Sequence, residues 1–502
     1  MSNSSDMDGD SSAFQSTSND SRNSVLGDIG MCAAAGGMGW GIRGQYGHET
    51  GAMIAGVLVG LAILLRFTPN ARSLSGARAA AMFAVAIGVG GSMTYGQTTG
   101  LTHDPKLVGN WGALLWGMLG LGIKGGLWIG IAATFLGAGL SGVHYRWWEW
   151  VFVLALLYGA QWIGVVVINC PFDPENHRLP WIYFSSDWRW SPDHEWKPRP
   201  EVWGGILFCY STLLFYLGWF RVDRLALKLG LWGALGGAVG FPAGQSLQAF
   251  YGWNREWFHT LAWTAKINWW NMMEIAFGAI MAATLAIGLY LHRNEIRPRA
   301  NPVDEAMGRG AWEYSLLSLH AILLALAEFT SGMPILSHLY DDGLSLLFLP
   351  IVLICRGFAA PYFILLPIVL IPIAGKTIRQ LGYLEPQVPL ILAWIIYGAL
   401  PICLMTAIAW YSSRNAERER ASKFASRALL TATWVYFGLN FGFFRYPLPW
   451  EEWTARTPSN LIFMFCALVL TAGCLRDVFK DGKTKCSETE LSQGESIQSS
   501  RD

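Results

Sequence analysis

The sequence predicts an all-α, polytopic integral membrane protein, and three observations carry that prediction. Of 502 residues, 53% are hydrophobic and only 14% are charged, where soluble chains carry about 25% charged residues. Mean hydropathy is +0.32. Apolar runs of about 20 residues, the length that crosses a bilayer as a helix, recur from about residue 25 to 475.

Taken in order, residues 1–24 are rich in Ser, Asn and Asp and read as a disordered polar tail. They lack a basic start, and Asp28 interrupts the following apolar run, so no cleaved signal peptide is expected. Spans 25–43 and 51–67 make a Gly-rich hairpin. The next apolar piece, 79–91, is short for a crossing, so 79–106 is expected to be re-entrant and to close a first unit, 25–106. Spans 107–123, 126–143 and 149–168 form a repeat unit over 107–168, with Lys124 in the turn between the first two. Residues 169–201 read as an external loop rich in Trp and Pro. Spans 202–220, 228–246, 271–291 and 313–331 occupy a second unit, 202–333. Five more spans, at 338–355, 358–375, 388–411, 428–444 and 459–475, fill 334–475, and 476–502 is a polar tail.

The expectation is therefore about fourteen spans plus one re-entrant segment. That number puts both termini in the cytoplasm, with most Lys and Arg on the same side, as the positive-inside rule requires. Lys376 and Arg379 fall on the opposite side. A bacterial inner membrane or a plasma membrane is the expected setting.

Short matches suggest parallel internal repeats. WGAL occurs at 111–114 and 232–235, and IAAT at 131–134 pairs with MAAT at 281–284. HYR at 144–146 parallels LHR at 291–293, and WEW at 148–150 parallels WEY at 312–314. GGMGWGIRGQ (36–45), GGSMTYGQ (90–97) and GGAVGFPAGQ (236–245) form a second series. WTAR at 453–456 echoes WTAK at 263–266, which suggests an eroded copy near the end. Transporters often place their sites between such repeats.

The candidate site residues follow from charge and position. Ionisable groups at membrane depth are costly and mark function. Gln45, Gln97 and Gln245 close the three Gly-rich segments, while Glu49 and Glu274 open the helices that follow two of them. Arg43 and His48 belong to the same polar turn as Glu49. Arg255, Glu256 and His259 come from the outer Trp-rich stretch 251–270, and complete the set for binding a small solute.

Catalytic and metal motifs are missing. No HExxH, P-loop or GxSxG is present, although His177, Asp187, Asp193, His194 and Glu195 share one loop. The 8 cysteines are scattered and form no CxxC pair. A net charge of +1 gives no electrostatic reason to bind nucleic acid. No cofactor is expected; the partners expected are the lipid bilayer and a small-molecule solute, with oligomeric state left open. The reading that fits best is a secondary transporter for a small polar or sugar-like solute. Its rivals are a membrane-embedded transferase acting on a lipid or cell-envelope sugar, and a non-catalytic membrane scaffold.

Overall fold

In the computed structural model the backbone is described for residues 9–186, 198–298, 310–330, 333–444 and 452–476, with side chains from Val25 onward. Helices account for the regular structure; among the described residues the only β pairing is two isolated bridges. Among the described residues, ten helices are long and apolar enough to cross a membrane, or eleven if the bent pair Ala311–Phe329 and Pro334–Asp341 counts as one span. The chain is accordingly a helical integral membrane protein by length and composition of its helices.

Helix α1 spans Gly9–Arg43, so it starts inside the stretch whose composition predicts disorder. A polar turn leads to α2, Ala52–Phe67. Helix α3, Ser73–Ala86, continues as a 3-10 turn to Ser92, and a short α4 follows at Gly96–His103. Then come α5 (Trp111–Leu140), α6 (Trp147–Ile168), α7 (Trp203–Phe215) and α8 (Arg224–Trp253). Short α9 (Arg255–His259) precedes α10, Trp269–Leu291. Helices α11 (Ala311–Phe329), α12 (Pro334–Asp341) and α13 (Gly343–Arg356) come next. The chain closes with rods at Ala360–Leu384, Leu390–Arg414, Ala421–Phe444 and Thr457–Arg476.

Two expectations need correction. First, 107–123 and 126–143 are not two spans but one helix, α5. Lys124-Gly125-Gly126 looked like a turn because a lysine normally ends a span at water. Here Lys124 is fully buried and paired, and the glycines exist for a helix crossing. A Cβ on Gly237 of α8 would collide with the Gly125 carbonyl, and one on Gly125 would reach the Gly237 carbonyl at 2.5 Å. Second, 79–106 is not a re-entrant piece beginning at residue 79. The rod Ser73–Ser92 has the length of a crossing and is buried throughout its apolar window. Its polar start is accommodated: Arg78 donates to the Ile354 and Gly357 carbonyls at 3.3 and 3.0 Å.

Contacts fix the helix directions. Gly137 of α5 meets Ala226, Gly125 meets Gly237, and Trp111 packs on Trp253, so α5 and α8 are antiparallel. The two WGAL copies therefore lie on helices of opposite direction, which parallel repeats do not allow. α10 also runs against α8, through Gly236 on Met281 and Gly244 on Met273, so IAAT and MAAT lie on parallel helices. One end of the bundle gathers arginines: Arg221 donates to the His144 carbonyl, and Arg66 meets Met31 and Gly473 close to both ends of the chain's described helices. The other end gathers Trp111, Trp253 and Trp269. α2, α3, α5 and the rod Ala360–Leu384 are the most buried elements, whereas α6 turns Phe152, Trp162 and Val167 outward.

Candidate functional site

The site lies where α1 ends, toward the tryptophan-rich end. Arg43 closes the last turn of α1 and has no solvent exposure. Its Nη2 donates to the Tyr95 hydroxyl at 2.8 Å and approaches Glu274 Oε1 at 3.4 Å. The Tyr95 hydroxyl is 2.8 Å from His48 Nδ1, and Arg43 Nη1 is 3.4 Å from the same nitrogen. Arginine only donates, so Nδ1 accepts and the ring proton belongs on Nε2. Tyr95 thus accepts from Arg43 and donates to His48.

Aromatic rings enclose the guanidinium. Its carbon stands 4.9 Å from the Trp40 ring centre, 5.3 Å from Tyr95 and 5.5 Å from Trp128. Such contacts stabilise a desolvated cation by about 2 kcal/mol or more. Phe241 and Phe277, stacked at 4.8 Å, extend the wall beneath Tyr95 and Trp40. Two glycines make the room. A Cβ on Gly44 would lie 2.6 Å from the Glu274 carboxylate, and one on Gly91 would strike the backbone of His48 and Glu49.

Glu274 is buried on α10 and held without help from Arg43. It accepts from Trp270 Nε1 at 3.2 Å and from Asn271 Nδ2 at 3.1 Å. Asn271 in turn accepts from Arg456 at 2.7 Å. The turn itself is tied down by Lys376, whose Nζ donates to the Tyr46 carbonyl at 2.9 Å and Thr50 Oγ1 at 3.1 Å. Lys376 and Arg379 both pair with Glu328, at 3.3 and 2.9 Å, and this single carboxylate offsets one of the two positive charges.

His48 and Glu49 sit in the turn between α1 and α2, outside the candidate spans. The His48 ring reaches solvent although protein surrounds most of it. Burial, aided by Arg43 and Lys376, lowers its pKa to about 4, so it is neutral near pH 7. Burial raises the Glu49 carboxyl to about 7; Asp341 adds to this, while Lys376 and Arg43 oppose it.

The other anticipated residues divide. Gln245 is buried and donates to Thr102 Oγ1 at 2.7 Å, next to His103, while its Oε1 has no partner. His103 faces Trp270 at 6.4 Å, which places this polar pocket beside Glu274. Gln97 belongs to a different contact: with its amide oriented to suit its neighbours, the oxygen accepts from Arg199 Nε at 2.9 Å. Gln45 is half-buried in the turn. Arg255, Glu256 and His259 are exposed on α9 and are not part of the Arg43 cluster; Arg255 lies near His103. Of the loop residues weighed as metal ligands, Asp187, Asp193, His194 and Glu195 lie outside the described residues. Among those described, no cluster of three metal-binding side chains occurs.

Sequence reading missed Tyr95, Trp40 and Trp128. The signal for Tyr95 was present, because GGSMTYGQ aligns Tyr95 with Arg43 when the glutamines are matched. It also missed Lys124, whose Nζ donates to Glu201 at 2.7 Å, to Thr98 at 2.8 Å and to the Thr94 carbonyl. Glu201 also accepts from the Phe184 amide and Ser185, which pins the loop before α7 onto α5. A cavity of about 660 Å³ at the arginine-rich end, lined by 67–71, 141–143 and 296–298, contains none of the anticipated residues. No protein-family profile matches the chain, and comparisons with curated proteins and with solved structures return no match either.

Proposed function

We propose that the protein is a multi-pass secondary transporter for a small polar solute, with its binding site around Arg43 and Glu274. One observation carries this reading: a fully buried ion pair joins α1 to α10, beside the Gly-rich stretches of three helices, and a solvent-exposed histidine leads to it. Buried ionisable groups are expensive inside a membrane protein and are retained where they act.

The helix directions support the same reading. Adding α2, α11, α13 and Ala421–Phe444 to the ten long apolar helices yields fourteen alternating passes. With the arginine-rich end cytoplasmic, both termini are cytoplasmic and the site opens outward. Three of the sequence matches keep helix direction, so the α3–α5–α6 and α8–α10–α11 series are candidate parallel repeats. The Gly-rich segments then occupy equivalent places and meet at the site, as transporter repeats do.

The transferase reading is supported less well, because it needs Arg255, Glu256 and His259 beside Arg43, and these face solvent on α9. The test is solute flux into proteoliposomes at several pH values. Saturable uptake that falls at least tenfold in Glu274→Ala is expected; no uptake across a broad panel of polar solutes would end the transport reading.

A further inference from the structure

We infer that Arg43 is the anion-binding group of this site and Glu274 its displaceable counter-ion, so that the solute carries a carboxylate. This rests on the reading that the Arg43 site holds a solute. The two members of the pair are held very differently. Glu274 has two donors of its own, Trp270 and Asn271. Arg43 meets Glu274 only through Nη2, at 3.4 Å, and its Nε is buried with no hydrogen-bond partner. Trp40 Nε1, in the ring stacked on the guanidinium, is likewise buried without a partner.

A guanidinium fork is built for two parallel bonds to one carboxylate, each near 2.8 Å. Leaving an N–H of a buried cation unmade is costly. A structural ion pair selected for stability would close that fork, and this one does not. A solute carboxylate spanning Nε and Nη2 satisfies both, and displaces Glu274 onto Trp270 and Asn271, which already bond to it. The Trp40, Tyr95 and Trp128 rings suit an apolar or planar group next to the carboxylate. A dianionic phosphate suits the site worse, since Glu274 and Glu49 both face Arg43. His48, bonded to Arg43 and Tyr95 and open to solvent, stands at the mouth.

The experiment uses full-length protein in lipid nanodiscs. Tryptophan fluorescence is titrated with acetate, benzoate and succinate, and with acetamide, benzamide and succinamide as neutral counterparts. The expected result is saturable quenching by at least one acid, at concentrations at least about tenfold below its amide. Glu274→Gln removes the competing charge and is expected to tighten acid binding by roughly tenfold; a purely structural pair predicts weaker binding. Arg43→Lys keeps the charge without the fork and is expected to weaken acid binding about tenfold while preserving the thermal unfolding midpoint. Failure of every acid to quench, equal response to acids and amides, or weaker binding in Glu274→Gln overturns the inference. Uptake is read separately. Acid binding without uptake removes transport and keeps this assignment, whereas uptake of a neutral solute unchanged in Arg43→Lys removes the assignment and keeps transport.

Discussion

At the scale of single residues, two buried lysine and arginine pairs do different work. Lys124–Glu201 has short bonds and full secondary partners, so it acts as a pin between α5 and the loop before α7. Breaking a buried pair leaves an uncompensated charge and costs about 3–5 kcal/mol, whereas replacing both partners by apolar residues is often nearly neutral. Lys124→Met is therefore expected to lower the thermal midpoint sharply and to open the segment around Phe184 and Ser185 to protease. Lys124→Met with Glu201→Leu recovers most of that loss; a double variant as unstable as the single would refute the pin.

Glu49 provides the pH handle. Its carboxyl titrates at about 7, above the ordinary value. Below pH 7 it is protonated and neutral, and Arg43 and Lys376 dominate the local field. Above pH 7 it ionises and repels an anion. Binding of an anionic solute should therefore weaken as pH rises from 6 to 8, and Glu49→Gln should flatten that profile. His48 stays neutral across this window, since its pKa is about 4. A slope unchanged in Glu49→Gln would assign the titration elsewhere.

At the scale of elements, glycine separates packing from space. The α5–α8 crossing brings backbone onto backbone at Gly125 and Gly237. Gly237→Val forces these helices apart, and overpacking of this kind costs about 1–3 kcal/mol or more. On α6 a Cβ at Gly159 meets nothing within 4 Å, so Gly159→Ala is expected to leave expression and midpoint unchanged or slightly improved. Size-exclusion profiles and thermal midpoints of the two variants decide this; equal behaviour would deny the crossing its role.

The helix boundaries show what periodicity cannot tell. A lysine followed by two glycines is a reasonable turn until the partner of the lysine is known, and Glu201 lies 77 residues away. Arg78 stands just before the apolar piece 79–91, yet it is buried and donates to carbonyls near residue 355. Local composition carries no information about partners so distant in the chain.

At the scale of the whole molecule, α5 and α8 each have 30 residues, about 45 Å of helix, against about 30 Å of hydrocarbon. Both are longer than the hydrocarbon core is thick, and the short α4 packs against both. The proposed topology puts exposed Lys106 and exposed Lys423 on opposite faces. In a cysteine-free background, Lys106→Cys should react with a membrane-impermeant maleimide added to intact cells, and Lys423→Cys only after permeabilisation. Labelling of both from one side would overturn the alternating passes.

The sequence by itself determined the helical class, the membrane setting and the place of the polar Arg43–His48–Glu49 turn between two helices. Hydrophobic length and the desolvation cost of charge are properties of a short stretch, and both can be read in place. The join between α1 and α10 depended on tertiary structure. Glu274 stands 231 residues from Arg43 and bonds to it only because Gly36 and Gly278 let those helices touch. The ring enclosure by Trp40, Tyr95 and Trp128, and the exclusion of Arg255, Glu256 and His259 from the cluster, are facts of helix packing. Packing sums contacts across the whole chain, so no single stretch of sequence contains it.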